Sequence, residues 1–203
     1  IAAGMEVTAV ACTEEYSAYF PGAMIVSRAV FEYISDERTP QGVIASVRIP
    51  ANVIVRPHGR CILLDGLQDP GNVGTIIRTA NAAGYGQIYM INCADPFSPK
   101  CVRSSMSGVF FAEIMQGSAE EVLSALDGTP LVCADMNGEN AYNFRAPEKF
   151  CLCIGSEGSG LSSAVRGAAQ FTVKIPMRPT CESLNAAVSA GILMYLLHGA
   201  ERE

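Results

Sequence analysis

From Cys61 onward the chain alternates short apolar runs with longer stretches in which apolar residues recur every three or four positions. The runs are "CILLDG" from residue 61, "QIYMIN" from 87, "PLVCAD" from 130, "FCLCIG" from 150 and "FTVKIP" from 171. Their near-continuous apolarity is that of strands covered on both faces. Between and after them, "NVGTIIRTANAAG", "PKCVRSSMSG", "SAEEVLSALDG", "GLSSAVRGAA" and "SLNAAVSAGILMYLLHG" read as helices. End signals support these helices: Asn72 as an N-cap, Gly84 just past a C-terminus, and Ser118 with Glu121 as a capping box. Strands alternating with helices imply an α/β fold, a parallel sheet with helices on both faces.

The first fifty residues have a different rhythm. They predict a strand near "EVTAVAC", a helix near "SRAVFEYIS" and a strand "GVIASVRI". "PANVIVRPHGR", broken by Pro50, Pro57 and Gly59, reads as a linker. We therefore expect a partial α/β domain with its linker over 1–55 and a second domain over 56–203. The chain opens on Ile1, and "IAAG" reads as a helix end, so an N-terminal part of the first domain is expected to be missing.

Composition narrows the class. Of 203 residues, 49% are hydrophobic and 17% charged, which suits a packed core and excludes disorder. The formal net charge of -6 argues against a chain that coats nucleic acid along its whole surface, since phosphate contacts need clustered Lys and Arg. No apolar run reaches the roughly 18 residues of a membrane span, so no membrane partner is expected. The eight cysteines lie mostly inside strand-like runs and lack paired zinc spacing. Cys151 and Cys153 alternate and face one side of a strand. They read as reduced thiols of a cytoplasmic protein, with no metal.

Three loops follow apolar strands, where open α/β sheets bind ligands. The first, "DGLQDPGNVGT", leads into a helix start whose free N–H groups favour an anion; Arg78 lies off that helix's apolar stripe of Ile76, Ile77, Ala80 and Ala83. The second, "GSEGSG" at 155–160, surrounds Glu157 with glycines. The third, "PMRPTCESLN" at 176–185, brings Ser183 and Asn185 to a helix start. Read singly, the first and third favour a solvated arginine and ordinary caps, while the second fits equally a plain turn or a loop whose backbone approaches a ligand and whose Glu157 carboxylate binds a hydroxyl or an arginine. There is no GxSxG, no HExxH and no dinucleotide or P-loop fingerprint. The two histidines, His58 and His198, do not support a triad.

In order, "DPGNVGTIIRTANAAG", "CIGSEGSGLS" and "VKIPMRPTCESLNAAVSAGILMYLL" resemble the three motifs of the SpoU/TrmH family of RNA ribose 2′-O-methyltransferases, part of the SPOUT superfamily. The resemblance covers roughly residues 60–199. The stretch "VFEYISDERTPQGVIASVR" looks like the end of the ribosomal-protein-like substrate-binding domain that precedes many members. The resemblance implies a C-terminal deep trefoil knot, S-adenosyl-L-methionine as cofactor, and a homodimer. It implies RNA as substrate, with ribosomal RNA favoured, transfer RNA as the alternative, and a non-catalytic RNA-binding protein of the same fold as a further one. Carried over position by position, it implies cofactor contacts at Gly155, Ile175 and Leu184, with Met177 and Ala134 beside them. It implies a catalytic role for Arg78, supported by Asn72, Glu157, Ser183 and Asn185.

Overall fold

The computed structural model describes residues 5–37 and 39–197, and the chain divides between Ala51 and Asn52 into two units. The expected helix end at "IAAG" and His198 lie outside the described residues.

In the first unit, β1 (Val7–Cys12) pairs antiparallel with β3 (Val43–Val47) and parallel with the two-residue β2 (Met24–Ile25). The helix α1 (Arg28–Ile34) starts at Ser27, whose hydroxyl accepts from the Val30 amide at 3.3 Å. Phe31 of α1 and Cys12 of β1 are the buried apolar residues of this unit among those described. β2 is too short to leave a pattern in the sequence.

The second unit is a six-stranded, wholly parallel sheet. Its strands are β4 (Cys61–Asp65), β5 (Gln87–Ile91), β6 (Glu113–Gly117), β7 (Leu131–Asn140), β8 (Cys151–Gly155) and β9 (Phe171–Lys174), in the order β6-β5-β4-β8-β7-β9. The helices are α2 (Pro70–Ala82), α3 (Pro99–Ser104), α4 (Ala119–Ala125), α5 (Ser163–Gly167) and α6 (Ala186–Leu196). The strand period of two sorts the side chains between two cores. Ile62, Leu64, Leu152 and Ile154 meet α2, α3 and α6; Cys61, Leu63, Cys151 and Cys153 meet α4 and α5. Cys151 and Cys153 thus share one face, as their alternation requires. Burial in that layer pushes the Cys151 thiol well up, so it packs as a neutral small hydrophobe. Full burial of residues such as Ile76, Ile77 and Leu152 stabilises the fold by about 1.5–3 kcal/mol each.

Three local features depart from the sequence expectations. First, α2 begins two residues before Asn72. Asp69 is the N-cap, its Oδ2 accepting from the Asn72 amide at 3.2 Å, because Pro70 has the fixed φ that suits the first helical position. Asn72 is therefore helical, neither cap nor loop. Second, "EIMQG" forms the edge strand β6, whose polar Glu113 and Gln116 hid it. Third, "NVIVRPH" does not behave as a free linker. The Asn52 carboxamide donates to the Gln116 carbonyl at 2.8 Å and accepts from the Gln116 amide at 2.9 Å, and Tyr89 Oη donates to the Val55 carbonyl at 2.8 Å. The two capping signals at Ser118–Glu121 and Gly84 are present, the latter with φ +75°.

Strand order places the site. From β4 the chain runs outward through β5 to β6, then crosses to the other half and returns to β8, so β4 and β8 are neighbours with Asp65 opposite Gly155. Their carboxyl ends lie side by side at this reversal of strand order, the position at which open α/β sheets open a ligand crevice. A second opening comes from β7. Its register against β9 shifts between Ala134 and Glu139, so residues 135–138 bow out. Gly138 lies so close that a Cβ there would fall 2.5–2.6 Å from the backbone of Thr172 and Val173. Only glycine allows the bowed segment to lie against β9.

Candidate active site

A cavity of about 380 Å³ opens at the carboxyl ends of β7, β8 and β9. Ala134, Gly155, Ile175, Met177 and Leu184 all line it, and so do Glu157 and Ser183. The bowed segment contributes Asp135, Met136 and Asn137, which no sequence signal had marked. Its volume lies in the range of small-molecule sites, and its walls are mostly apolar with a few polar groups, the usual makeup of such sites.

The glycine loop is shaped by steric exclusion. Ser156 and Gly160 exchange backbone hydrogen bonds at 2.9 and 3.2 Å, which doubles the loop back on itself. A Cβ on Gly155 would fall 2.2 Å from the Gly160 carbonyl carbon and 2.3 Å from the Leu161 nitrogen. The loop's far end is fixed by Asp65, 5% exposed, whose Oδ2 accepts from the Ser162 amide at 2.7 Å. Arg166 ties two walls of the cavity together: Nη1 lies 3.3 Å from Asp135 Oδ2, and Nη2 donates to the Leu161 carbonyl at 3.4 Å. Sequence reasoning missed both residues. For Asp65 a signal was available, a carboxylate ending an otherwise apolar strand; for Arg166 there was none.

Beside the cavity, three of the five expected catalytic residues form one hydrogen-bonded cluster. Asn72 Nδ2 donates to Glu157 Oε1 at 2.8 Å. Asn185 Nδ2 donates to Asn72 Oδ1 at 2.9 Å and to Glu157 Oε1 at 3.0 Å. Glu157 Oε1 also accepts from the Ala186 amide at 3.3 Å, in the first turn of α6, where the helix dipole favours a carboxylate. Asn185 is the N-cap of α6, its Oδ1 accepting from the amides of Ala187 and Val188 at 2.9 and 3.2 Å. The three loops singled out in the sequence thus meet through one carboxylate and two carboxamides. A carboxylate with three donors is held in a fixed orientation, and each charge-assisted bond is stronger than a neutral one.

Arg78 stands apart from that cluster. It is exposed on α2, and among the described residues its guanidinium has no hydrogen-bond or ion-pair partner. Its backbone is nonetheless tightly packed: a Cβ on Gly108 would sit 3.1 Å from the Arg78 Cα. Ser183 is exposed at the cavity wall and is not a helix cap. At the start of α2, Lys100 Nζ pairs with Asp69 Oδ1 at 2.6 Å, and this bond, with the Gly71 and Asn72 amides, holds the Asp69 carboxyl below the usual aspartate range.

Among the described residues no helix is long and apolar enough to cross a membrane, and no group of three or more His, Cys, Asp or Glu is placed to hold a metal ion.

Comparison with known proteins bears on this arrangement. Residues 59–195 match the family model described as the SpoU rRNA Methylase family. The 23S rRNA (guanosine(2553)-2′-O)-methyltransferase RlmP of Bacillus subtilis is 31% identical over 179 residues, covering 86% of this chain and 72% of that protein. The 23S rRNA (uridine(2479)-2′-O)-methyltransferase of Streptomyces viridochromogenes is 36% identical over 170 residues, 77% of this chain and 59% of that protein. Among solved structures, the SpoU methyltransferase AviRb from Streptomyces viridochromogenes in complex with AdoMet superposes with a TM-score of 0.86 at 26% identity, covering 97% of this chain and 84% of that one. An AdoMet-bound rRNA methyltransferase from Sinorhizobium meliloti superposes with a TM-score of 0.87 at 25% identity, over 97% and 81%.

Proposed function

Because the chain belongs to the SpoU rRNA methylase family, we propose that it transfers a methyl group from S-adenosyl-L-methionine to a ribose 2′-hydroxyl of RNA, with ribosomal RNA as the substrate class. The observation that carries this reading is the meeting of the cavity with the Asn72–Glu157–Asn185 cluster at the carboxyl ends of β4 and β8. The names of the relatives from Bacillus subtilis and Streptomyces viridochromogenes, both 23S rRNA 2′-O-methyltransferases, support it.

The cavity suits the cofactor. Apolar side chains of Ala134, Ile175, Met177 and Leu184 offer surface for an adenine, and Gly155 leaves backbone groups accessible. Of the two carboxylate residues in the lining, Asp135 is paired with Arg166, and Glu157 is held by three N–H donors at the edge of the adenine-sized apolar surface. When bound, the sulfonium cofactor supplies an electrophilic methyl group.

The remaining work falls to this chain's own residues. The Glu157-centred cluster fixes the glycine loop, α2 and α6 relative to one another, so the cavity wall does not shift as RNA arrives. Arg78 orients the ribose hydroxyl and stabilises the negative charge that develops on its oxygen. A guanidinium is a donor only and serves as no general base; the hydroxyl proton leaves to a substrate phosphate or to water as the methyl carbon would exchange its bond to sulfur for one to the ribose oxygen. Ser183 supplies a hydroxyl at the cavity wall, beside the reacting groups.

We further read the chain from β8 to α6 as the family's knot. β8 lies between β4 and β7, β9 lies on the far side of β7, and α6 returns to the end of the α2 segment, where Tyr85, just past the helix, donates through Oη to the Met194 carbonyl at 3.3 Å. This path supports a threaded C-terminus. Val188 and Tyr195 remain exposed on the apolar α6, which supports a homodimer. All eight cysteines are free, which supports the cytoplasm as the compartment. The test is a comparison of 2′-O-methyl sites in RNA from cells with and without the full-length protein. Loss of one discrete ribose methylation supports the reading; an unchanged map overturns it.

A further inference from the structure

The segment from α3 to residue 110 is clamped along α2 at two points on either side of one turn. At Gly74 of α2, a Cβ would lie 2.0 Å from Ser104 Oγ and 2.4 Å from the Cys101 carbonyl oxygen. At Gly108, a Cβ would lie 3.1 to 3.3 Å from the backbone of Ile77 and Arg78. Between these clamps Ser105 is fully buried. Its hydroxyl donates to the Val102 carbonyl at 2.8 Å and accepts from the Val109 amide at 3.4 Å. Two consecutive non-glycine residues then occupy the left-handed region, Met106 at φ 46° and Ser107 at φ 72°. Met106 is 64% exposed.

A rigid frame on both sides and strained backbone at the apex hold one apolar side chain out in solvent. Such strain persists only where the surroundings impose it, and it gathers at functional positions. The clamps seat Cys101 and Val109 in the core beside α2, whereas the strained apex contributes nothing to it, since Met106 points to solvent. Gly108, directly after the turn, is held against the backbone of Arg78. A nucleobase is attached to the ribose carbon next to the one bearing the 2′-hydroxyl. Any RNA that presents that hydroxyl to Arg78 therefore brings a base within one ribose's width.

We propose that the Met106–Ser107 turn is a nucleobase subsite, in which the exposed Met106 thioether packs against the face of an unstacked base beside the target ribose. The inference rests on the reading of Arg78 given above. Methionine suits the task because its unbranched, polarizable side chain adapts to any base face. Single-stranded RNA is commonly held by packing of splayed bases on side-chain surfaces.

The test separates base contact from backbone contact. The full chain and Met106→Ala are titrated with a ten-residue oligouridylate and with an abasic oligoribose phosphate of the same length. The wild type is expected to prefer the oligouridylate by about tenfold, and Met106→Ala to lose most of that preference while binding the abasic strand as before. Met106→Leu restores at least half of the preference. The proposal is overturned if the wild type shows no preference, or if Met106→Ala keeps it in full. S-adenosyl-L-methionine titrated into the same proteins distinguishes the two levels of argument. Failure of the wild type to bind it counts against the proposed function, whereas unchanged cofactor binding with unchanged base preference counts against the subsite alone.

Discussion

Asn72 Nδ2 lies 2.8 Å from Glu157 Oε1, joining the first turn of α2 to a glycine loop 85 residues further along the chain. With Asn185 and the Ala186 amide on the same oxygen, Glu157 is the common acceptor of two helix starts, those of α2 and α6.

Glu157→Ala leaves both carboxamides and the Ala186 amide without that acceptor. The two carboxamides are accessible enough for water to replace it and only the Ala186 amide is buried, so thermal stability changes by only a few degrees. Positioning is lost, and kcat/KM for RNA falls by about a hundredfold. Glu157→Gln keeps an acceptor oxygen and is expected to retain more activity than Ala. Equal losses in the two variants would show that the oxygen's geometry is not what matters.

Gly155→Ala puts a methyl group 2.2 Å from the Gly160 carbonyl carbon. Backbone must move, not a side chain, so the variant is destabilised by about 1–3 kcal/mol. The displaced loop also weakens S-adenosyl-L-methionine binding in calorimetry. Unchanged affinity would place the cofactor away from this loop.

Ser107→Gly removes the cost of a left-handed non-glycine residue. Stability in urea rises by about 0.5–1 kcal/mol. A loss of stability would mean that the side chain, not the backbone, is what the turn needs.

Much of this site was visible in the sequence because its parts sit at strand ends. The apolar runs located five of the six parallel strands, and the loops after "CILLD", "CLCI" and "FTVK" are those that converge. Order along the chain carried more than any one motif. The rest is tertiary. The start of α2 is an exception, since Asp69 followed by Pro70 is a local signal of cap and first helical residue that competes with Asn72. "EIMQG" is an edge strand and needs no apolar alternation on its open side. Asp135 and Arg166 meet only because β7 bows out over Gly138, a close approach to β9 that no neighbour in sequence announces.

Asp69 makes the start of α2 sensitive to acid. Its carboxyl titrates below the usual range because Lys100 and two backbone amides favour the charged form. The charged form therefore stabilises the fold above the ordinary aspartate range, and that contribution is lost as pH falls through the lower, folded value. The pair is largely exposed, so Lys100→Met costs at most about 1 kcal/mol at pH 7. In urea titrations the gap between the variant and the wild type is expected to close in strong acid. A gap that stays constant from neutral to acid pH would contradict the assignment.

The central claim is that Arg78 serves the reaction and not the binding of cofactor. It is tested most directly by methyl transfer from labelled S-adenosyl-L-methionine to total RNA from cells lacking the gene, with 2′-O-methylated nucleotides as the readout. The wild type is expected to label ribose, and Arg78→Ala to lose about 10²–10³-fold in kcat with cofactor affinity unchanged. An Arg78→Ala variant that methylates ribose at the wild-type rate would contradict the account.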